Sequence, residues 1–185
     1  QLFNYQYYDR NYLEKWMLGE NAGENATDDF SREYSHEYEF SLTKKINMNE
    51  LNWGMELSEI NYKNNRVNNS NLDLQAGSIY CQYDLTIKNN FNLVLGLRMD
   101  KYSNFNLEYS PRIAIMHTFN RWKFRTSIGK GFRTPSFMER FLDYDHTNTF
   151  GYKVIGNNSL LPEKSFGGTL GAEYLKPNSY QLSML

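Results

Sequence analysis

The segment FNLVLGLRMDKY, from Phe91 to Tyr102, alternates apolar and polar side chains along its length. Successive side chains of a β-strand point to opposite faces of the sheet, so this alternation predicts a strand with one apolar and one polar face. The apolar face carries Phe91, Leu93, Leu95, Leu97 and Met99, and the polar face carries Asn92, Val94, Gly96, Arg98 and Asp100. The segment therefore predicts an antiparallel sheet with two chemically different surfaces.

The same alternation recurs on both sides of this segment through nearly the whole chain, and it predicts about nine strands. The first strand is expected near Phe3–Asp9 and the last near Tyr180–Leu185. Many of the strands run to about 10–14 residues, whereas strands of soluble proteins usually have about 5–6 and membrane-spanning strands about 9–11. Strand length therefore favours a transmembrane β-barrel.

Short and long connections take turns between these strands. Short ones are expected at Asn47–Asn49, Lys88–Asn90, near Asn120 and at Lys176–Ser179. Between them we expect long polar ones at Gly19–Arg32 and Lys63–Asn71, a shorter one near Ser103–Asn106 and a very long one after Gly131. This arrangement is typical of an up-and-down barrel with unequal ends.

Composition excludes several other classes. The 185 residues carry a net charge of −1 with no basic block, so no nucleic-acid partner is expected. Mean hydropathy is −0.72 and no apolar run approaches the roughly 18 residues of a transmembrane helix. The single Cys81 excludes an intrachain disulfide. The chain starts at Gln1 without a signal-peptide pattern and stops inside an alternating pattern, so we expect it to be cut at both ends.

Alternation by itself also fits a soluble all-β domain, either a sandwich or a carbohydrate-binding module. Two observations favour the barrel: aromatic residues collect near the strand ends, and the polar face is more charged than a packed core tolerates. On that polar face Arg98, Arg112 and Arg125 come from three successive strands. We predict that they form a basic strip inside a lumen, with acidic partners nearby.

Two motifs carry a family resemblance. They are GKGFRTPSFMER, from Gly129 to Arg140, and GNNSLLPEKS, from Gly156 to Ser165, followed by GAEY at Gly171–Tyr174. In this order they resemble the TonB-dependent outer-membrane receptors. The matching positions are Gly131, Phe132, Arg133 and Pro135 in the first motif and Gly156, Asn157, Leu160, Pro162 and Glu163 in the second. The resemblance covers roughly Tyr80–Tyr174, and residues 1–79 fit by alternation alone.

The resemblance implies an outer-membrane receptor of a Gram-negative bacterium. Such receptors have a 22-strand barrel, an N-terminal plug domain and a preceding segment that binds TonB, and they import siderophore–iron, haem or cobalamin. The implied partners are the TonB complex, the chain's own plug, outer-membrane lipid and a small-molecule ligand. Residues 1–185 would then form part of the barrel domain, without the plug or the terminal strand.

The motif residues are interpreted as architectural, and Arg133 and Glu163 are expected to pair at the root of the long loop. The ligand-binding residues stay unknown, with His146, Asp143 and Asp145 in that loop as candidates. No catalytic constellation or metal cluster stands out, so we expect neither an enzyme nor a cofactor. The alternatives left open are a passive porin-like barrel, an outer-membrane enzyme and a soluble β-sandwich binding module.

Overall fold

The computed structural model describes residues 2–13, 28–64, 66–67, 71–147, 151–174 and 182–184. Within these residues the chain forms eleven strands and one short helix. They are β1 (Leu2–Leu13), β2 (Asp28–Ile46), β3 (Asn49–Asn64), β4 (Leu72–Lys88), β5 (Phe91–Tyr102), β6 (Glu108–Phe119), β7 (Trp122–Arg133), α1 (Phe137–Phe141), β8 (Asp143–His146), β9 (Tyr152–Ile155), β10 (Glu163–Tyr174) and β11 (Leu182–Met184). No helix in these ranges has the length and apolar character needed to cross a membrane.

Nine of the strands form one continuous antiparallel sheet. Its order is β1-β2-β3-β4-β5-β6-β7-β10-β11, and β8 and β9 form a separate hairpin. Apart from this hairpin, which is inserted between β7 and β10, strands that follow one another in sequence are neighbours in the sheet. This order confirms the predicted all-β up-and-down architecture with about nine strands. A sandwich would need two packed sheets, so this topology is not that of the soluble alternative. The sheet is open, with β1 and β11 at its edges.

The register places apolar side chains opposite one another from strand to strand. Leu95 lies opposite Ile113, and Ile113 lies opposite Ile128. All three side chains are exposed, at 40%, 42% and 49%. Uncovered apolar surface of this extent is unusual for a soluble monomer. We call this surface of the sheet the apolar face, and the opposite surface the polar face.

One end of the sheet carries the short turns. Asn47 and Asn120 adopt positive φ angles of 57° and 54°, a conformation that asparagine tolerates better than most residues and that tight hairpins require. Aromatic rings gather on the apolar face beside these turns, where Trp122 lies 5.1 Å from Tyr174 and 6.1 Å from Phe124 between ring centroids. The predicted turn at Lys176–Ser179 and the aromatic Tyr180 lie outside the described residues.

The opposite end, which we call the long-loop end, differs from the sequence expectation at the start of β2. Strand β2 begins at Asp28, so the last five positions of the loop predicted at Gly19–Arg32 belong to a strand. Asp28 pairs with Leu13 of β1, and Ser31 pairs with Asn64 of β3. The prediction was wrong because it relied on the alternation of apolar side chains. The backbone here is paired by hydrogen bonds to the neighbouring strands β1 and β3, and such bonds form whatever the side chains are.

Strands β2 to β4 are also longer than the strands that follow them. They have 19, 16 and 17 residues, whereas β5, β6, β7 and β10 have 12 each. Pairing between β4 and β5 ends at Ala76 opposite Tyr102, so residues 72–75 of β4 extend beyond β5. Four residues of strand measure about 13 Å. The longer strands therefore form a projecting wall at the long-loop end.

We predict that the apolar face tolerates charge far less than the polar face does. Replacing Leu95 by Arg in the complete protein should lower the free energy of unfolding by about 2–4 kcal/mol, the cost of a cation near the middle of a lipid-facing barrel surface. Denaturant unfolding in lipid vesicles measures this loss. Gln82→Arg, on the exposed polar face of neighbouring β4, is the matched control. Equal losses in both variants would contradict the assignment of the two faces.

Candidate functional site

Helix α1 starts immediately after β7, at a motif that fixes its first turn. The Ser136 hydroxyl accepts a hydrogen bond from the backbone N–H of Glu139 at 3.2 Å. The Glu139 carboxylate in turn accepts one from the backbone N–H of Ser136 at 2.7 Å. This reciprocal capping box satisfies two donors that a helix start otherwise leaves unpaired. The sequence S-x-x-E signals it, but the sequence analysis missed the helix.

Arg133, the last residue of β7, joins three elements. Because β7 and β10 are paired with Arg133 opposite Glu163, its Nε and Nη2 each donate to the Glu163 carboxylate at 3.1 Å. Its Nη1 and Nη2 also donate to Glu139 of α1 at 3.0 and 2.8 Å. The expected contact between Arg133 and Glu163 is present. The second carboxylate was not expected, and it ties the helix to the strand ends.

The second motif packs against the end of this helix. The backbone N–H of Gly156 donates to the Leu142 carbonyl at 2.6 Å, and that of Asn157 donates to the Glu139 carbonyl at 3.0 Å. A Cβ at Gly156 would lie 2.7 Å from backbone atoms of residues 140, 141 and 142, which no side chain tolerates. Glycine is therefore required for close approach. The two motifs form one unit, which we call the motif junction.

The remaining motif residues surround this junction. Gly131 lies opposite Ser165 in the β7–β10 ladder, and Phe132 packs edge-on against Tyr102 at 6.1 Å. Pro135 is buried directly before the helix cap. In the second motif the Leu160 N–H donates to the Asn157 carbonyl at 3.2 Å, and Pro162 leads into β10. These positions shape the chain path between β7 and β10.

The junction packs onto the polar face of the projecting wall. Phe137 of α1 stacks on Tyr62 of β3, with ring centroids 5.3 Å apart and planes 12° from parallel. Further along, Leu142 forms a β-bridge with Val67, and the Asp143 N–H donates to the Arg66 carbonyl at 2.8 Å. The loop after β7 thus crosses to a strand four places away in the sheet.

A cavity of about 400 Å³ lies between α1 and the projecting wall. Arg140 covers one side of it, with its guanidinium 5.0 Å from the ring centre of Phe105. Its lining residues are Glu33 of β2; Ile60 and Tyr62 of β3; Leu74 of β4; Phe105; and Thr134, Pro135, Ser136, Phe137, Met138 and Arg140 around the helix. We call this space the junction cavity. Sequence reasoning missed it, because its walls are distant in the chain.

The three predicted lumen arginines share the polar face but differ in their partners. Arg98 contacts Glu56 at 3.0 Å and the buried Asp100 at 2.8 Å, and Arg125 contacts the buried Glu173 at 2.8 Å. Arg112 is exposed and lies between two glycines of the neighbouring strands, at positions 96 and 129. Among the described residues it has no ion pair. Of these three arginines, two are therefore paired with carboxylates and Arg112 is not, within the part of the chain that the structure describes.

Two of the three ligand candidates in the long loop, Asp143 and Asp145, have side-chain partners within the protein. Asp143 contacts Lys153 at 2.7 Å, and its carboxylate raises the pKa of that lysine. Asp145 accepts hydrogen bonds from the N–H and hydroxyl of Thr147 at 2.8 and 2.6 Å. The backbone of His146 pairs with Tyr152, and its side chain lies outside the described residues. No cluster of three metal-binding side chains occurs within the described ranges.

The family model described as "TonB dependent receptor-like, beta-barrel" matches residues 1–184. The chain belongs to the TonB-dependent receptor β-barrel family. The match includes residues 1–79, which the sequence motifs left uncovered. This family forms outer-membrane barrels of Gram-negative bacteria.

Solved structures show the same fold. The siderophore receptor PirA from Pseudomonas aeruginosa is 19% identical with a TM-score of 0.74, over 81% of this chain and 31% of that one. The ferric enterobactin receptor PfeA from Pseudomonas aeruginosa, solved with enterobactin, is 17% identical with a TM-score of 0.73, over 94% and 30%. The Serratia marcescens hemophore receptor HasR, solved with its hemophore HasA and heme, is 14% identical with a TM-score of 0.72, over 82% and 31%.

The solved receptors are much longer than this chain. It spans about a third of the length of each solved receptor, and identities of 14–19% show the fold alone. No curated protein sequence matches it. The family and the solved neighbours are transport receptors rather than enzymes, in contrast to the alternative of an outer-membrane enzyme.

We predict that Gly156→Ala in the complete receptor releases the motif junction. A methyl group at this position meets three backbone atoms at 2.7 Å, so the second motif must move away from α1. Hydrogen–deuterium exchange of residues 137–142 should rise at least about tenfold, as expected when packing that protects these amides is lost. Gly167→Ala is the control, since nothing lies within 4 Å of its added Cβ. Unchanged exchange in Gly156→Ala would contradict this packing.

We also predict a pH dependence of the junction. The Arg133 guanidinium, together with hydrogen bonds from Ser136, lowers the pKa of Glu139 from an ordinary 4.5 to about 2. Because the folded pKa is depressed, its stabilising contribution is complete above about pH 4.5 and is lost as the pH falls through about 2. A spin label at position 159, with exposed Cys81 replaced by Ser, should gain mobility over this range.

Glu139→Gln is the control for this titration. The variant removes the ionisable group, so the label should be more mobile at neutral pH and should no longer respond to acid between pH 4.5 and 2. If the label in Glu139→Gln still gained mobility between pH 4.5 and 2, a group other than Glu139 would be responsible for the change.

Proposed function

We propose that this chain is part of an outer-membrane receptor that binds a scarce small ligand at its long-loop end and imports it with energy supplied through TonB. The ligand classes considered are siderophore–iron, haem and cobalamin. The observation that carries the proposal is the motif junction, an ordered unit that packs over the polar face of the barrel wall and encloses a cavity beside it.

The two faces support the membrane part of this proposal. Contact of the exposed apolar face with lipid carries no free-energy penalty, whereas the ion pairs of the polar face need contact with water or protein. In outer-membrane barrels the short turns face the periplasm and the long loops face outside. The junction cavity would then face the medium, from which a ligand arrives.

The junction also favours a receptor over a passive porin. A porin keeps an aqueous channel, whereas here a loop from β7 crosses the polar face and is fixed to β3 by the stack of Phe137 on Tyr62. The solved neighbours named for siderophore, enterobactin and hemophore recognition support the same class. Energised uptake further requires a plug and a TonB-binding segment, which we expect in the complete protein.

Uptake by the complete receptor tests this proposal. The full reading frame is expressed in a Gram-negative host lacking its own receptors for ferric chelates, haem and cobalamin, with intact or deleted tonB. We expect growth on one of these ligands at submicromolar concentration, and only in the tonB-positive host. TonB-independent uptake together with entry of unrelated small solutes would establish the porin instead, and no uptake of any of the three ligand classes would refute the proposal.

A further inference from the structure

We infer that the outer edge of strand β9, the side that faces away from β8, pairs with an extended segment of the same receptor outside residues 1–185. The β8–β9 hairpin then belongs to a larger sheet at the long-loop end, and the loop after β7 is joined to a second part of the receptor. The inference goes beyond the proposed function, because it concerns a partner of this loop and holds whichever ligand the receptor binds.

The hydrogen bonds of the hairpin determine which backbone groups of β9 face outwards. The Gly156 N–H donates to the Leu142 carbonyl at 2.6 Å, so these two residues are bonded to each other across the hairpin. Along an antiparallel pair, positions that bond to the partner strand alternate with positions that point away from it. In the register of β8 and β9, the backbone N–H and C=O groups of Ile155 and Lys153 therefore point away from β8.

The two outer edges of the hairpin differ in what they contact. The edge of β8 already has a neighbour, since the Asp143 N–H donates to the Arg66 carbonyl at 2.8 Å and Leu142 forms a bridge with Val67. The outward backbone groups of β9 have no backbone partner within the residues that the structure describes. The hairpin is therefore extended on one side only, and two donors and two acceptors remain for another strand on the other side.

Strand β9 also lacks the features that protect an open edge. Natural edge strands are protected by proline, by a bulge or by a charge that points outwards. The sequence of β9, YKVI, has no proline, its ladder with β8 has no bulge, and the ammonium of Lys153 is held by Asp143 of β8 at 2.7 Å. Tyr152, Val154 and Ile155 are exposed, Ile155 by 68%. An edge of this kind pairs readily with other chains, so we expect the native receptor to cover it.

The length of the solved receptors indicates which chain covers the edge. The present chain covers 31% of PirA and 30% of PfeA from Pseudomonas aeruginosa, so most of such a receptor lies outside it. A segment of the same molecule has a high effective concentration at the edge, whereas a second molecule must arrive by diffusion. Main-chain hydrogen bonds would hold the added strand, and its alternating apolar side chains would cover Val154 on one face and Ile155 on the other.

Hydrogen–deuterium exchange of the complete receptor in detergent tests the pairing. We expect the amides of Lys153 and Ile155 to exchange at least about tenfold more slowly than unprotected amides, as amides in a ladder do. The Val154 amide, which faces β8, reports whether the hairpin itself is formed. Ile155→Pro removes an outward donor and no hydrogen bond to β8, so Lys153 should lose its protection and Val154 should keep it. Ile155→Val keeps the donor and is the matched control.

Photo-cross-linking identifies the strand that covers the edge. A photoreactive benzoylphenylalanine replaces exposed Tyr152, and mass spectrometry locates the peptide to which it becomes attached. We expect one peptide from outside residues 1–185. Mixing isotope-labelled with unlabelled receptor shows whether both peptides come from one molecule, and light scattering gives the oligomeric state.

Protected Lys153 and Ile155 amides in the monomer, with a cross-link inside one molecule to a segment outside residues 1–185, support the inference. Unprotected amides, protection or cross-links that occur only between two molecules, a cross-link within residues 1–185, or unchanged Lys153 protection in Ile155→Pro overturn it. If Ile155→Pro unfolds the hairpin, the cross-link decides. Neither measurement involves a ligand or TonB, so failure of the inference leaves the proposed function to the uptake experiment.

Discussion

The register of the nine-stranded sheet is the constraint on which the rest of the structure depends. Side chains alternate between faces, so a slip of one residue would move every apolar side chain of a strand to the polar face. Leu95, Ile113 and Ile128 remain aligned across three strands, and on the other face Arg98 can reach Glu56 and Asp100. A single register therefore produces both a continuous apolar face and a set of paired charges on the polar face.

The unequal lengths of the strands create the surface on which the motif junction packs. Because β2 to β4 extend beyond β5, the loop after β7 finds a surface to pack on, and Phe137 reaches Tyr62. Arg133 then joins the two ends of the loop, because it donates hydrogen bonds to a carboxylate of α1 and to a carboxylate at the start of β10. The junction cavity forms because the short helix α1, held at its start by the capping box and by Arg133, lies against the projecting wall.

Much of the fold could be predicted because its signal is local. The segment Phe91–Tyr102 became β5 with the same bounds, and turns formed at Asn47 and Asn120. The start of β2 was missed because polar residues entered a ladder whose hydrogen bonds are independent of side-chain pattern. Helix α1 was missed although its capping box was readable, since five residues carry little periodicity. The ion pairs of Arg98 and Arg125 needed the register before their partners could be named.

The sequence by itself determined the alternation, the two faces, the turn positions and the family motifs, because each depends on residues close together in the chain. Only the tertiary structure decided where the long loop goes, that Gly156 must be glycine, and that Arg140 meets Phe105 and Tyr62 at one cavity. These contacts join residues that are not neighbours in the chain. They depend on strand lengths and register accumulated across the sheet, which no short stretch of sequence encodes.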